Sequence, residues 1–281
     1  MCISISPSTM SDTLIYVGES HRLGRDIHVL AYQNIAINES STPNAMIIPF
    51  PTSQTMTEEN IINTTTFKNF LKDISNATKS TRRLTLGGPV CATLPTCQAK
   101  VFDIGSYTVV LASHVKYVPE ALLKVPKHKR PDIPIRFLFQ YGKLYGHKPI
   151  AVCCWDGQIE AEPLLWWYEP INNKSLFIPT MDAHDGNPPN IDAIVKMDHI
   201  ISAGSSNVPN GISVKYTDSI PEKIAEILPT KVHGTKMDYQ IKNGDSFIDL
   251  DLVRNKRYGA HITRGINLEN SYKVDSMYGW S

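Results

Sequence analysis

At 281 residues, with 42% apolar and 20% charged side chains, the chain has the composition of a folded globular protein and lies outside the disordered and fibrous ranges. Twenty-eight basic against 27 acidic residues leave a formal charge of +1, which excludes a global field for gathering nucleic acid or an anionic bilayer. No signal peptide and no membrane-spanning run is present, so the expectation is a cytoplasmic protein with no membrane partner.

Runs rich in β-branched and aromatic residues predict strands over 13–17, 26–35 and 45–50. In the second run, Ile27, Val29, Ala31 and Gln33 alternate with His28, Leu30, Tyr32 and Asn34, the pattern of a sheet with one buried face and one polar face. Over 58–75 the three-and-four spacing of Phe67, Phe70, Leu71 and Ile74 predicts a helix with Thr57 as N-cap. A strand over 107–112 follows, then a short turn opened by Pro119. The basic cluster Lys124, Lys127, His128, Lys129 and Arg130, closed by Pro131, reads as a solvated loop, because no aromatic neighbours offer stacking for bases; nucleic acid is not an expected partner.

Further strands are predicted over 133–139, 150–155, 164–168 and 176–178. A short helix starts at Pro221 and carries Ile224, Ile227 and Leu228 on one side before Pro229 stops it. The tail over 247–253 alternates as an edge strand, and His261 falls on another short one. Stretches 38–44, 186–190 and 204–211 read as surface loops, the last two also as subdomain joints. The sum is an α+β fold: a single β-rich domain over 1–281, mainly antiparallel, with two or three helices.

The five cysteines form an odd set, and adjacent Cys153 and Cys154 point to opposite faces of a strand, so reduced thiols are expected rather than disulfides. Cys91 and Cys97 are too widely spaced for the usual zinc pair, and all four read as small apolar fillers. Cys2 is different in kind. Loss of the initiator Met would leave a thiol and a free α-amine on one residue, with the amine (pKa about 7.7 to 8.0) able to take the thiol proton. Arg22, Arg25 and Asn34 are candidate partners for such a nucleophile.

A second concentration of chemistry lies at Asp182 and His184, followed by Asp192 and by Asp198 and His199. Asp182 and His184 fall on one side of an extended segment, so both could face one divalent ion such as zinc, with Asp198 or His199 closing the site. The competing reading is a strand that ends in an Asp185-Gly186 turn, with Pro188 and Pro189 holding the loop extended. Trp166 and Trp167, set among Glu160, Glu162 and Glu169, must face opposite ways in a strand; one is expected in the core and the other as an anchor for a protein partner. Gly87-Gly88 lacks the Lys-Ser/Thr of a phosphate loop, and Ser113-His114 lacks the Gly-x-Ser-x-Gly elbow, so no nucleotide cofactor or serine hydrolase is supported.

The start Cys2-Ile3-Ser4-Ile5-Ser6 resembles the opening strand of N-terminal-nucleophile hydrolases, a resemblance that implies amide cleavage in a four-layer αββα fold. The order of features over 2–179 resembles in layout an uncharacterised bacterial domain family: Cys2, the strand at 27–31, the Ile47-Ile48-Pro49-Phe50-Pro51 end, the strand at Tyr107 and the turn at Pro119. That family carries no established activity, so it implies none. The leading expectation is a non-catalytic protein acting through a protein partner, since no catalytic set is complete. The alternative is a hydrolase using Cys2, or a metal at Asp182 and His184. Abundant Ile, Asn, Ser and Lys suggest a bacterial or viral AT-rich genome.

Overall fold

The computed structural model describes residues 3–22, 24–78, 98–146 and 148–255, with strands Ile262–Gly265 and Tyr272–Val274 as backbone. Cys2, Cys91, Cys97, Gly87, Gly88 and His261 lie outside the described residues.

The chain opens with β1 (Ile3–Ser4), then two long strands, β2 (Ser8–Arg22) and β3 (Arg25–Asn38), then β4 (Asn44–Pro49) and β5 (Ile61–Ile62). Helix α1 (Phe70–Ala77) precedes β6 (Ala99–Ile104) and β7 (Tyr107–Ala112). Helices α2 (Val118–Leu122) and α3 (Ile135–Tyr145) lead to β8 (Ile150–Trp155), β9 (Gln158–Glu160), β10 (Leu164–Tyr168) and β11 (Ser175–Ile178). The remainder is β12 (Ile194–Lys196), β13 (His199–Gly204), β14 (Ile212–Ser213), α4 (Glu222–Ala225), β15 (Lys231–Met237), β16 (Gln240–Lys242), β17 (Asp245–Asp249), α5 (Leu250–Asn255), β18 (Ile262–Gly265) and β19 (Tyr272–Val274).

Two sheets face each other. One has the order β1-β4-β8-β7-β6; the other runs β14-β15-β13-β2-β3-β10-β5, with β9 also on β3. Ile15, Val17, Leu30 and Tyr32 from the second sheet meet Met46, Val109, Cys153 and Trp155 from the first in one buried core. The outer face of the first sheet, with Ile47, Val110, Val152 and Cys154, is covered by Val118 and Leu122 of α2 and by Phe137, Leu138, Tyr141 and Tyr145 of α3. The outer face of the second, with Tyr16, Val29 and Ala31, is covered by Phe70, Leu71 and Ile74 of α1 and by Ile227 and Leu228 after α4. The layers therefore run helix, sheet, sheet, helix, each sheet burying apolar side chains on both faces. This is a single β-rich α+β domain whose sheets are mainly antiparallel, as expected; β13 on β2 is a parallel exception. Cys153 and Cys154 do point into opposite cores.

Several expectations change. Strand β3 is buried on both faces, because it lies inside a covered sheet; His28 is 2% exposed and packs edge-on against Tyr168 with ring centroids 5.9 Å apart. The helix expected over 58–75 is broken. Thr57 does act as a cap, with its hydroxyl accepting from the Glu59 N–H, but of a single 3-10 turn. The β-branched pair Ile61–Ile62 then adds to β10, and α1 begins at Phe70. Residues 133–139 form the start of α3, not a strand: Pro134 sets an extended N-cap, and Phe137, Leu138, Tyr141 and Tyr145 recur on one helical face against the first sheet. The edge strand expected over 247–253 is instead an interior one: β17 pairs with β11 on one side and β18 on the other, and it ends at Asp249, where α5 takes over.

Candidate functional site

The sequence-predicted residues fall into three separate places. Asp182 and His184 lie in the segment after β11, which runs beside the start of the chain: Ile3 bridges Ala183 in parallel, the Ser4 N–H donates to Ala183 O at 2.8 Å, and Pro7 bridges Asp185. Asn243 of the β16–β17 turn and Asp245, the first residue of β17, hold that segment. Buried Asp245 accepts from the Thr180 and Met181 N–H groups through Oδ1 and from the Tyr145 hydroxyl through Oδ2; Asn243 Oδ1 accepts from the Asp182 N–H. Asn243 Nδ2 donates back to Asp182 O at 2.7 Å. The result is a half-buried ion-pairing couple, His184 Nε2 to Asp182 Oδ1 at 3.1 Å. Its neighbour in the chain order, Cys2, lies outside the described residues, but Ile3, the residue that follows it, is the one paired with Ala183.

Asp198 and His199 do not join this couple. His199 is buried at the start of β13, opposite Thr13 of β2, six residues beyond the Pro7 that bridges Asp185. Among the described residues no three His, Cys, Asp or Glu side chains gather as a metal site, so the site in which Asp198 or His199 would close on Asp182 and His184 is not assembled. Proximity in sequence misled here because 182–185 follows the first sheet, whereas β13 belongs to the second.

Trp166 is a core residue, fully buried, with its ring 5.0 Å from that of Phe50, and cannot anchor a partner. Trp167 faces the other way and is half-buried; its Nε1 donates to Glu59 O at 2.7 Å and the Arg22 guanidinium lies 5.3 Å from its ring centroid. The exposed apolar surface lies elsewhere. On α3, Ile135 is 75% and Phe139 64% exposed, one turn apart on a single face, and Lys143 Nζ sits 4.6 Å from the Phe139 ring centroid. Between Lys116 and Lys148 the chain carries eight basic residues (Lys116, Lys124, Lys127, Lys129, Arg130, Arg136, Lys143, Lys148) against Glu120 and Asp132, a local charge of +6 in a chain of +1. Some of this charge is structural: Arg130 donates to Leu123 O and Val125 O, and Lys129 to Ser106 O, which ties the loop down.

A cleft of about 580 Å³ opens on the other side of the molecule, between α1 and the outer face of the second sheet. Its floor includes Asp12, Thr13, Leu14, Gln33 and Asp198; its roof includes Lys72, Ser75 and Asn76. A β-bulge forms its rim: the β2–β3 register slips between Ser11 and Leu14, and Asp12 takes φ of 50°, the one positive φ of a non-glycine among the described residues. Lys72 pairs with Glu160 at 2.8 Å and Lys236 with Asp238 at 3.0 Å, which lowers the pKa of each carboxyl through the hydrogen bond and the charge of its lysine. Of this lining the sequence singled out Asp198 as a candidate ligand and named Gln33, Asn34 and Glu160 in other connections; the bulge at Asp12 leaves no compositional signal, since Asp12 stands between ordinary strand residues.

No family model, no curated protein and no solved structure matches this chain.

Proposed function

We propose that the protein is a non-catalytic interaction module whose α3 face receives an acidic amphipathic segment of a protein partner. The exposed Ile135–Phe139 pair carries this reading. Burying two such side chains contributes about 1.5 to 3 kcal/mol each, and α3 holds them on a helix whose opposite face is fully packed, so little ordering cost remains at binding. The surrounding +6 segment favours an acidic counterpart. The test is fluorescence anisotropy with a designed helical peptide bearing Leu on one face and Glu on the other, against a Leu/Lys version. The acidic peptide binds, more weakly as salt rises, and an Ile135→Ser/Phe139→Ser variant of unchanged stability loses it. Equal binding of the basic peptide, or preference for phosphatidylserine vesicles or RNA, refutes the reading.

A second reading, an amide hydrolase using Cys2, is favoured by one observation: the Asp182–His184 couple borders the strand that Cys2 precedes. The helix-sheet-sheet-helix layering is also the order that the resemblance to N-terminal-nucleophile hydrolases implies. In this reading the α-amine takes the Cys2 thiol proton as sulfur attacks the amide carbonyl; the proton leaves with the amine, and water hydrolyses the thioester. Intact-mass analysis must then find Met1 removed, and Cys2 must react with iodoacetamide far faster than Cys154, whose thiol burial pushes up to about 12. Retention of Met1 ends this reading.

A further inference from the structure

We propose that Glu19, His28 and Arg254 form an acid-sensitive latch that holds α5 against the core between the two large sheets. Helix α5 lays Leu250 and Val253, each 1% exposed, into that core. Its last turn is tied down by charge. Arg254 pairs with Glu19 of β2 through Nη2 and donates from Nε to Glu19 Oε2 at 3.3 Å, and the Ser205 hydroxyl just after β13 donates to the same oxygen at 2.7 Å. Glu19 thereby joins β2, the end of β13 and α5.

His28 stands directly across the β2–β3 ladder from Glu19, and such partners share a face with Cβ atoms about 4.5 to 5.5 Å apart. That face is the inner one, since Val17 and Leu30, the next pair along it, both lie in the core between the sheets. His28 is 2% exposed, and among the described residues neither of its ring nitrogens has a hydrogen-bond partner. The charged and titratable groups around it are Glu19 on β2, Tyr168 on β10, Arg254 on α5 and Asp26 on its own strand. One pair further out on the same face, His21 opposite Asp26 makes a 3.1 Å imidazole–carboxylate contact. His28 makes none with Glu19, whose oxygens are taken by Arg254 and Ser205.

The closed latch and a charged His28 oppose each other. Protonation sets a second cation near the Arg254 guanidinium and leaves two buried N–H donors in need of an acceptor. Glu19 is the carboxylate opposite, and Arg254 has a second seat in Asp251 Oδ1, 3.5 Å away on its own helix. Exchange of partners therefore leaves neither cation unpaired, while α5 loses its charge clamp. In the closed form burial, and then Arg254, lower the His28 pKa from 6.5 to about 4; once the ring reaches water it titrates near its ordinary value. The open form thus binds the proton more readily. The latch is fully favoured closed above pH 6.5, and its opening equilibrium grows about 20-fold between pH 7 and pH 5.

The test is hydrogen exchange on the full chain, read by mass spectrometry at pH 7, 6 and 5, with each rate divided by that of an unstructured peptide at the same pH. Protection of the α5 amides falls about 20-fold from pH 7 to pH 5, stays well below that of β7 and β8 throughout, and is insensitive to low urea, because the opening is local. His28→Phe, which keeps a ring against Tyr168, removes the pH dependence. Arg254→Gln, at the partly exposed end of the helix, lowers α5 protection already at pH 7 and leaves β7 and β8 protected. Constant α5 protection down to pH 5, an equal fall in His28→Phe, or protection of α5 equal to that of β7 and β8 at every pH overturns the proposal, as does wild-type α5 protection at pH 7 in Arg254→Gln.

Discussion

Asp245 is the residue on which the corner holding Asp182 and His184 most depends. Its side chain is fully buried and receives the Thr180 and Met181 N–H groups at 2.9 and 3.0 Å and the Tyr145 hydroxyl at 2.8 Å. Asp245→Ala strands these donors away from water. Each buried donor left unpaired costs about 1 to 3 kcal/mol, and allowing for partial relaxation the variant should lose about 3 to 5 kcal/mol, or about 10 °C in melting temperature for a domain of this size. Asp245→Asn retains one acceptor for the two backbone groups and offers its amide to the Tyr145 oxygen, so it should lose about 1 to 2 kcal/mol; Tyr145→Phe should lose about 1 kcal/mol. Urea unfolding followed by tryptophan fluorescence measures all three, and the Asp245→Asn/Tyr145→Phe double variant should be less than additive because the two share a bond. A midpoint for Asp245→Ala within about 1 kcal/mol of wild type would show that the carboxylate does not hold the segment.

His28 makes stability depend on pH. Burial, with a smaller contribution from Arg254, pushes its pKa from 6.5 down to about 4, so the unfolded chain binds the proton more readily. Stability from this residue is complete above pH 6.5 and is lost as pH falls towards 4, to a total of about 3 kcal/mol; His28→Phe should flatten the urea midpoint across that window, and an unchanged slope would refute the assignment. Gly234 of β15 lies under the end of α1, where an added Cβ would press into the Thr78 side chain. Gly234→Ala should cost about 1 to 3 kcal/mol by denaturation; wild-type stability would exclude the close approach.

The strands most legible in the sequence were those whose burial is continuous. Tyr107–Ala112, Ile150–Trp155 and Leu164–Tyr168 stand where they were expected, because an uninterrupted β-branched and aromatic run bounded by polar residues has few other ways to be buried. Over 133–139 the same kind of run became α3, because a short apolar run does not declare its period and Pro134 provides a helix start. The 58–75 segment failed for the opposite reason: its apolar stripe begins at Phe67, and the β-branched residues before it are drawn into pairing with β10. Site residues were harder still. Asp182 and His184 were visible as a spacing of two on one side of an extended segment, and they do meet. Gln33 could not be found that way, since what marks it is an unpaired oxygen produced by tertiary packing, and Asp12 is marked only by its backbone angle.

The parallel pairing of β13 with β2 also bears on how the chain is made. β2 leaves the ribosome well before its neighbour on that side, since the Ser205 to Glu19 bond that seals the two strands closes a gap of 186 residues. At about 5 to 20 residues per second, one edge of a 15-residue strand waits on the order of ten seconds or more with its backbone groups unpaired. Translation speed through 20–205, and any chaperone that shields an open strand edge during it, should therefore govern the yield of native protein more than the stability of the finished fold does.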